Sequence, residues 1–231
     1  MKIAVLTGGS NGIGFSVLKE LVLKNYTVYN IDIKELDESI KNVITIKEDI
    51  NNVNEIVNKL KDIKKIDLLI NNAAIQIEKP FIKHTNDEID KVMNTNIVSL
   101  VKLTNNLLPK MNKNSHIINV SSVHGKLPRR NKITYDISKA ALEMFTKELA
   151  LELAPNIRVN AISIGATKTP MNNMFSNKEH LDNSIKKVPL NYILKPEDVA
   201  KVIMNLISED FKYLTGSIIT YDGGRSLYWK L

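Results

Sequence analysis

Two groups of residues have types and spacings that can carry chemistry. The first is the run Thr7-Gly8-Gly9-Ser10-Asn11-Gly12-Ile13-Gly14. It follows the apolar stretch Ile3-Ala4-Val5-Leu6 and precedes a helix-periodic one, so it reads as a turn from a strand into a helix. Glycines there let a pyrophosphate approach the backbone, where free N–H groups and the positive end of the helix dipole favour an anion. The spacing Gly-x3-Gly-x-Gly differs from the Gly-x-Gly-x-x-Gly fingerprint, and a turn that merely joins strand to helix is the competing reading. Asp32 tips the balance. It lies eighteen residues beyond Gly14, at the end of a second strand-like run, where the adenosine ribose of a dinucleotide would rest. A carboxylate there accepts hydrogen bonds from the ribose hydroxyls and repels a 2′-phosphate, so turn and acid together favour nucleotide binding.

The second group is Tyr135 and Lys139, four residues apart and so on one face of a helix. In a chain with 32 lysines and arginines such a pair also arises by chance. Its chemical sense is specific all the same. Tyrosine, with a reference pKa of about 10, is a poor base near neutrality, and an ammonium one helical turn away favours its phenolate.

These residues need a frame, and the pattern supplies one. Strands are predicted over 2–7, 26–33, 43–47, 66–70, 115–121, 157–163 and 215–221. Helices are predicted over 12–25, 51–62, 86–108, 134–154 and 196–208, with Pro109 and Pro155 closing two of them. Residues 168–190 are less regular. Strands separated by helices imply a parallel sheet covered on both faces: a doubly wound, Rossmann-type α/β fold in a single domain over 1–231.

Composition narrows the classes. Hydrophobic residues at 43% and charged residues at 25% suit an ordinary globular protein, and no apolar run is long enough to span a bilayer. The opening residues read as a strand rather than a signal peptide. With no cysteine, disulfide scaffolds and thiolate metal sites are excluded. His84, His116 and His180 have no metal-ligand spacing, so no metal is expected. The net charge of +7 raises the question of nucleic acid, but the lysines are spread evenly and lack interleaved aromatics. A cytoplasmic protein without nucleic-acid or membrane partners is the expectation.

Over essentially its whole length the chain resembles the compact, single-domain branch of the short-chain dehydrogenase/reductase family. Thr7-Gly8-x3-Gly12-x-Gly14 is similar to the coenzyme turn, and Asp49-Ile50 to the pair that edges the adenine. Asn71-Asn72-Ala73-Ala74 resembles the motif after the fourth strand, with Ala74 where glycine is usual. Asn96 falls at the asparagine of the long helix, and Ser122 precedes Tyr135-x3-Lys139 by the family's interval. Arg158 to Gly165 resembles the strand into the nicotinamide-side loop, with Ile164 in place of proline. Pro196 to Ala200 and Asp222-Gly223-Gly224 match the C-terminal pattern.

The resemblance implies an NAD-dependent oxidoreductase moving a hydride between the cofactor and a small alcohol or carbonyl compound. Tyr135 would be the acid/base, Lys139 its electrostatic partner and ribose ligand, Ser122 the donor to the substrate oxygen, and Asn96 the holder of a proton-relay water. Cofactor contacts are implied for Gly8, Ser10, Asn11, Gly12, Ile13, Gly14, Asp32, Asp49, Ile50, Asn72, Tyr135, Lys139, Thr167 and Thr169. A 3-oxoacyl or other ketone reductase using NADPH is the alternative within the class, disfavoured by Asp32 and by the neutral Ser10 and Asn11. A non-catalytic NAD sensor has no need of the Ser–Tyr–Lys–Asn set. The short chain and the glycine spacing disfavour a sugar-nucleotide epimerase.

Residues 168–190 are expected to cover the substrate, with Met171, Met174, Phe175 and Leu181 as adaptable apolar contacts or ordinary packing. His124 and Gln76 either face the substrate or are plain loop residues. Arg129, Arg130, Lys168, Lys186 and Lys187 either favour an anionic substrate or are solvated. On 134–154, Leu142, Phe145, Leu149 and Leu153 form a face for the sheet, while Met144 and Leu151 fall on another side. That second strip predicts a homodimer or homotetramer.

Overall fold

A computed structural model describes residues 2–227, except the side chains of Asn173 and Met174; the expected contact of Met174 therefore lies outside the described residues. The strands are β1 (Lys2–Thr7), β2 (Tyr26–Asp32), β3 (Val43–Lys47), β4 (Ile66–Asn71), β5 (Met111–Ser122), β6 (Ile157–Ile164) and β7 (Ile218–Tyr221). All pair in parallel, in the order β3-β2-β1-β4-β5-β6-β7. The helices are α1 (Gly12–Leu23), α2 (Val53–Lys59), α3 (Asn86–Met93), α4 (Ser99–Leu107), α5 (Ile133–Leu153), α6 (Lys178–Ile185) and α7 (Pro196–Leu206).

The central strands read as unbroken apolar runs because both sheet faces are covered. Their period-2 alternation sorts them into two cores. Val5, Leu69, Ile117 and Val159 point to one face, where Ile56, Leu103 and Leu149 meet them from α2, α4 and α5. Ala4, Leu6, Ile70, Ile118 and Ile162 point to the other, under Val17 and Leu21 of α1 and Ile203 of α7. Full burial of each large aliphatic side chain contributes about 1.5–3 kcal/mol.

Two departures from the predicted elements bear on function. The helix expected over 86–108 is continuous, but a π-turn at Asn94–Val98 joins α3 to α4, adding one residue at Asn96. In the region expected to be irregular, a 3-10 segment (Pro170–Ser176) leads into α6. Among the described residues no helix is long and apolar enough to cross a membrane.

The chain winds outward from β1 to β3, then returns across the sheet to β4. Strand order thus reverses between β1 and β4, and a crevice opens beyond their carboxyl ends.

Candidate active site

That crevice is a cavity of about 860 Å³. Its floor is the turn between β1 and α1. Gly14 cannot be replaced there: a Cβ would lie 1.9 Å from the carbonyl oxygen of Gly8. Gly8 itself has φ of +71°. The Asn72 amide donates to the carbonyls of Thr7 and Gly8, and the Thr7 hydroxyl accepts the N–H groups of Asn72 and Ala73. Loop and turn therefore hold each other, and the first turn of α1 faces the cavity with N–H groups that have no intrahelical acceptor. Asn11 caps α1 through Gly12 N–H.

Asp32 ends β2 at one end of the cavity. Its carboxylate accepts the Ser10 N–H at 2.9 Å and the Lys34 N–H at 3.0 Å, which fixes it in place. Glu48, Asp49, Ile50 and Asn51 continue this wall. Glycine turn, helix end and carboxylate thus form a cradle that fits a dinucleotide.

Ser122, Tyr135 and Lys139 stand at the other end. Strand β5 ends at Ser122, and the first turns of α5 carry Tyr135 and Lys139 on one side. The Lys139 ammonium donates to the Val120 carbonyl at 2.8 Å and lies 5.7 Å from the Tyr135 ring centre. Burial pushes the Tyr135 phenol up to about 12, with the Ser122 hydroxyl's hydrogen bond pulling the other way. Burial brings Lys139 down to about 8. In the protein alone desolvation, helped by the charge of Asp136, therefore outweighs the Ser122 hydrogen bond, and the phenol is raised rather than lowered as its charged neighbour led one to expect.

Beyond Tyr135 the walls are polar. The Gln76 amide donates to the Met171 carbonyl and accepts from the Lys132 ammonium, tying the 3-10 segment to the loop before α5. His124 bonds the Leu127 carbonyl through Nδ1 at 3.0 Å, and burial holds its pKa below the usual value. Thr167 and Thr169 line the remaining wall, after β6. Ile164 extends β6 by pairing with Tyr221, and Gly165 donates to the Tyr221 carbonyl at 2.9 Å. The replaced proline is thus answered by backbone pairing.

Comparison with known proteins agrees with this architecture. Residues 8–226 match the family model described as enoyl-(acyl carrier protein) reductase. The chain is 35% identical to the 3-oxoacyl-(acyl-carrier-protein) reductase FabG of Buchnera aphidicola, covering 96% of each. It is 33% identical to FabG of Thermotoga maritima, over 96% of this chain and 97% of that one. This protein is a short-chain dehydrogenase/reductase. Among solved structures it is similar to 4-hydroxyisoleucine dehydrogenase complexed with NADH (TM-score 0.91, 29% identity, 98% of this chain and 99% of that one). The aldohexose dehydrogenase of Thermoplasma acidophilum is also similar (TM-score 0.93, 25% identity, 100% and 96%). The short-chain dehydrogenase/reductase is accordingly an oxidoreductase that moves a hydride between a nicotinamide cofactor and a small molecule.

Of the residues singled out from sequence, Gly8, Asn11 to Gly14, Asp32, Asp49, Ile50, Asn72, Ser122, Tyr135, Lys139, Thr167 and Thr169 all line this cavity, as do Gln76 and His124. Ser10 does not. Its N–H is taken by Asp32, and its hydroxyl donates to the Lys34 carbonyl while accepting from Asn30. Asn96 is also off the wall, fully buried, with both amide hydrogens used on the Ile75 carbonyl and the Ser138 hydroxyl. Met171 and Phe175 line the cavity, while Leu181 packs on a separate small cluster with Phe175, Val188 and Ile193. Of the five cations named from sequence only Arg129 and Lys187 line it, joined by Lys91, Lys132 and Arg225 besides Lys139. Asn51, held by Asp49 and Thr95, went unnoticed as one asparagine among many.

Proposed function

We propose that this enzyme is NAD-dependent and interconverts a small alcohol and its carbonyl compound, as a cytoplasmic homodimer or homotetramer. The observation that carries the reading is the convergence of Ser122, Tyr135 and Lys139 on a cavity whose far end is closed by Asp32.

Each residue's part follows from its surroundings. At neutral pH a phenol pushed up to about 12 keeps its proton, so Tyr135 is ready to protonate a carbonyl oxygen, with the Ser122 hydroxyl donating to the same oxygen. Oxidation runs the proton the other way, from the substrate hydroxyl to a Tyr135 phenolate formed under the charge of Lys139. Below about pH 8 that ammonium is charged. When bound, NAD supplies the hydride acceptor and, in its oxidised form, a further positive charge. Residues 168–190 cover the substrate, with Gln76 holding the 3-10 segment in place.

The homo-oligomer rests on α5. Leu142 and Leu149 are buried against the sheet, while Met144 and Leu151 are 55% and 78% exposed. Ile133 and Ile137 extend the exposed strip at helical spacing, an apolar face that a second subunit would cover.

A second reading is 3-oxoacyl reduction with NADPH; the names of the FabG relatives at 33–35% identity favour its 3-oxoacyl substrate. Asp32 speaks for NAD. The test is NADH formation across a panel of alcohols, and NADH consumption with their carbonyl partners, in wild type and Tyr135→Phe. Turnover abolished in the variant, with NADH binding retained, supports the assignment; retained turnover overturns it.

A further inference from the structure

The charges of the cavity are unevenly spread. Its carboxylates are Asp32, Glu48 and Asp49, all at the adenosine end, where Lys91 of α3 also enters the lining. Near Tyr135 the lining carries Arg129, Lys132, Lys187 and Arg225, and none of its described residues is a carboxylate.

These cations come from three separate pieces of chain. Arg129 and Lys132 belong to the loop that runs from Ser122 to α5, which also carries Tyr135. Lys187 follows α6 and Arg225 follows β7, and the Arg225 guanidinium donates to the Lys187 carbonyl at 2.8 Å. The two sides line the same cavity. Arg225 is held below its usual pKa, first by burial and then by the charge of Arg129. Lys132 is likewise lowered, by burial first and Arg129 second.

Neighbouring carboxylates offset part of this charge, Glu78 and Asp136 beside Lys132 and Asp222 beside Arg225. Glu78 pairs with Lys132 at 3.3 Å. Asp136 accepts the Arg129 N–H, and Asp222 accepts the N–H groups of Gly224 and Ser226. Among the described residues neither the Arg129 guanidinium nor the Lys187 ammonium has an ion-pair partner. Arg129 and Lys187 are exposed, so water screens part of their charge, and an anion seated between them would meet what remains from both sides. A guanidinium offers a planar fork and an ammonium a point charge, a pair suited to a carboxylate or phosphate.

We infer that the substrate carries such an anionic group, a carboxylate or a phosphate, seated between Arg129 and Lys187 beside the carbon on which Tyr135 acts. The inference rests on the assignment of Tyr135 as acid/base and names the substrate class for that same site.

Matched pairs of probes test it: 3-oxobutanoate against its methyl ester, and glyceraldehyde 3-phosphate against glyceraldehyde. Two readouts are taken, NADH consumption and quenching of NADH fluorescence on binding. One charge-assisted hydrogen bond from each of the two cations predicts a preference of about 30-fold or more for the charged member of at least one pair. Which pair responds separates carboxylate from phosphate. In the double variant Arg129→Gln/Lys187→Gln the preference collapses through the charged member's KM. Lys186→Gln, an exposed lysine off the cavity wall, keeps it. Equal kcat/KM within both pairs, or a double variant that lowers both members alike, overturns the anion site. If no probe turns over, the Tyr135 assignment stands or falls on its own variant, and binding decides the anion site. Quenching by the charged member alone, abolished in the double variant, sustains it; no difference within either pair overturns it.

Discussion

Replacing Asp32 tests cofactor choice, because the carboxylate is fixed by its own bonds. Its two oxygens accept the N–H groups of Ser10 and Lys34 at 2.9 and 3.0 Å, leaving lone pairs for ribose hydroxyls and little freedom to swing away. A 2′-phosphate bound there would bring like charges to about 4 Å, where they repel by about 4 kcal/mol at an effective dielectric of 20. Partial exposure of the site lowers this to about 2–4 kcal/mol, a preference for NAD of about 30–1000-fold in kcat/KM. The glycine turn offers no cation to offset the repulsion, since Ser10 and Asn11 are neutral, and Lys34 does not line the cavity. Asp32→Ala removes the repulsion and two ribose acceptors together. The ratio should fall toward one, mostly through a gain with NADP and partly through a loss with NAD. The assay is kcat/KM for both cofactors at a fixed substrate concentration, in wild type and variant. Equal use of the cofactors by wild type, or a ratio untouched by the substitution, would refute the reasoning.

Tyr135→Phe keeps the ring and removes the proton carrier, so turnover should fall by about 10²–10⁴-fold while NADH titrations stay within a few-fold of wild type. Lys139, brought down to about 8, loses its charge as pH rises through that value, so reduction should be level near neutrality and decline above about pH 8, as a kcat/KM profile would show. His116 is buried and held down to about 3 by burial and by Arg158, whereas in the unfolded chain it titrates near 6.5. Its neutral form thus contributes stability that is complete above about pH 6.5 and is lost as pH falls toward 3. Urea unfolding at pH 5 should show about 2 kcal/mol less from this group than at pH 7, and His116→Gln should flatten that slope. Light scattering should give a multiple of the 26.1 kDa chain mass, reduced by Leu151→Glu; a wild-type monomer at micromolar concentration would defeat the oligomer.

Periodicity made the frame legible. Each predicted strand is present because a sheet covered on both faces demands apolar runs, and such runs are visible one residue at a time. Gly14 was legible for a similar reason: a missing Cβ is a property of one position. What escaped the sequence was the destination of polar groups and the convergence of distant ones. Ser10 was an implied cofactor contact, yet its donors turn to Asp32 and to the Lys34 carbonyl, a choice made only once β2 lies beside β1. Arg129 and Lys187 could not be told from Arg130, Lys168 and Lys186 while all five were charges on a line. Lys132 and Arg225 join them only when the end of β7 returns to the mouth of the sheet.

Asn96 shows how a residue can matter to this site without touching the cavity. Its side chain clamps both backbone groups of Ile75, accepting the N–H and donating to the carbonyl at 2.8 Å each, and donates again to the Ser138 hydroxyl at 3.0 Å. Ser138 in turn donates to the Tyr135 carbonyl at 2.7 Å. One amide therefore joins the loop after β4, which bears Gln76, to the first turn of α5, which bears Tyr135. With both N–H groups engaged, its amide nitrogen has no hydrogen left for a relay water, and the side chain's visible work is positioning. The π-turn makes this placement intelligible. An added residue rotates the C-terminal part of a helix by roughly 100° and loosens the local backbone bonding. The apolar stripe from α3 into α4 can then stay on the sheet while a fully buried amide at the join reaches both neighbours. An apolar pattern read along the chain registers only which residues are buried, so it accommodates the π-turn and the regular helix equally well; the hydrogen bonds of Asn96 distinguish them.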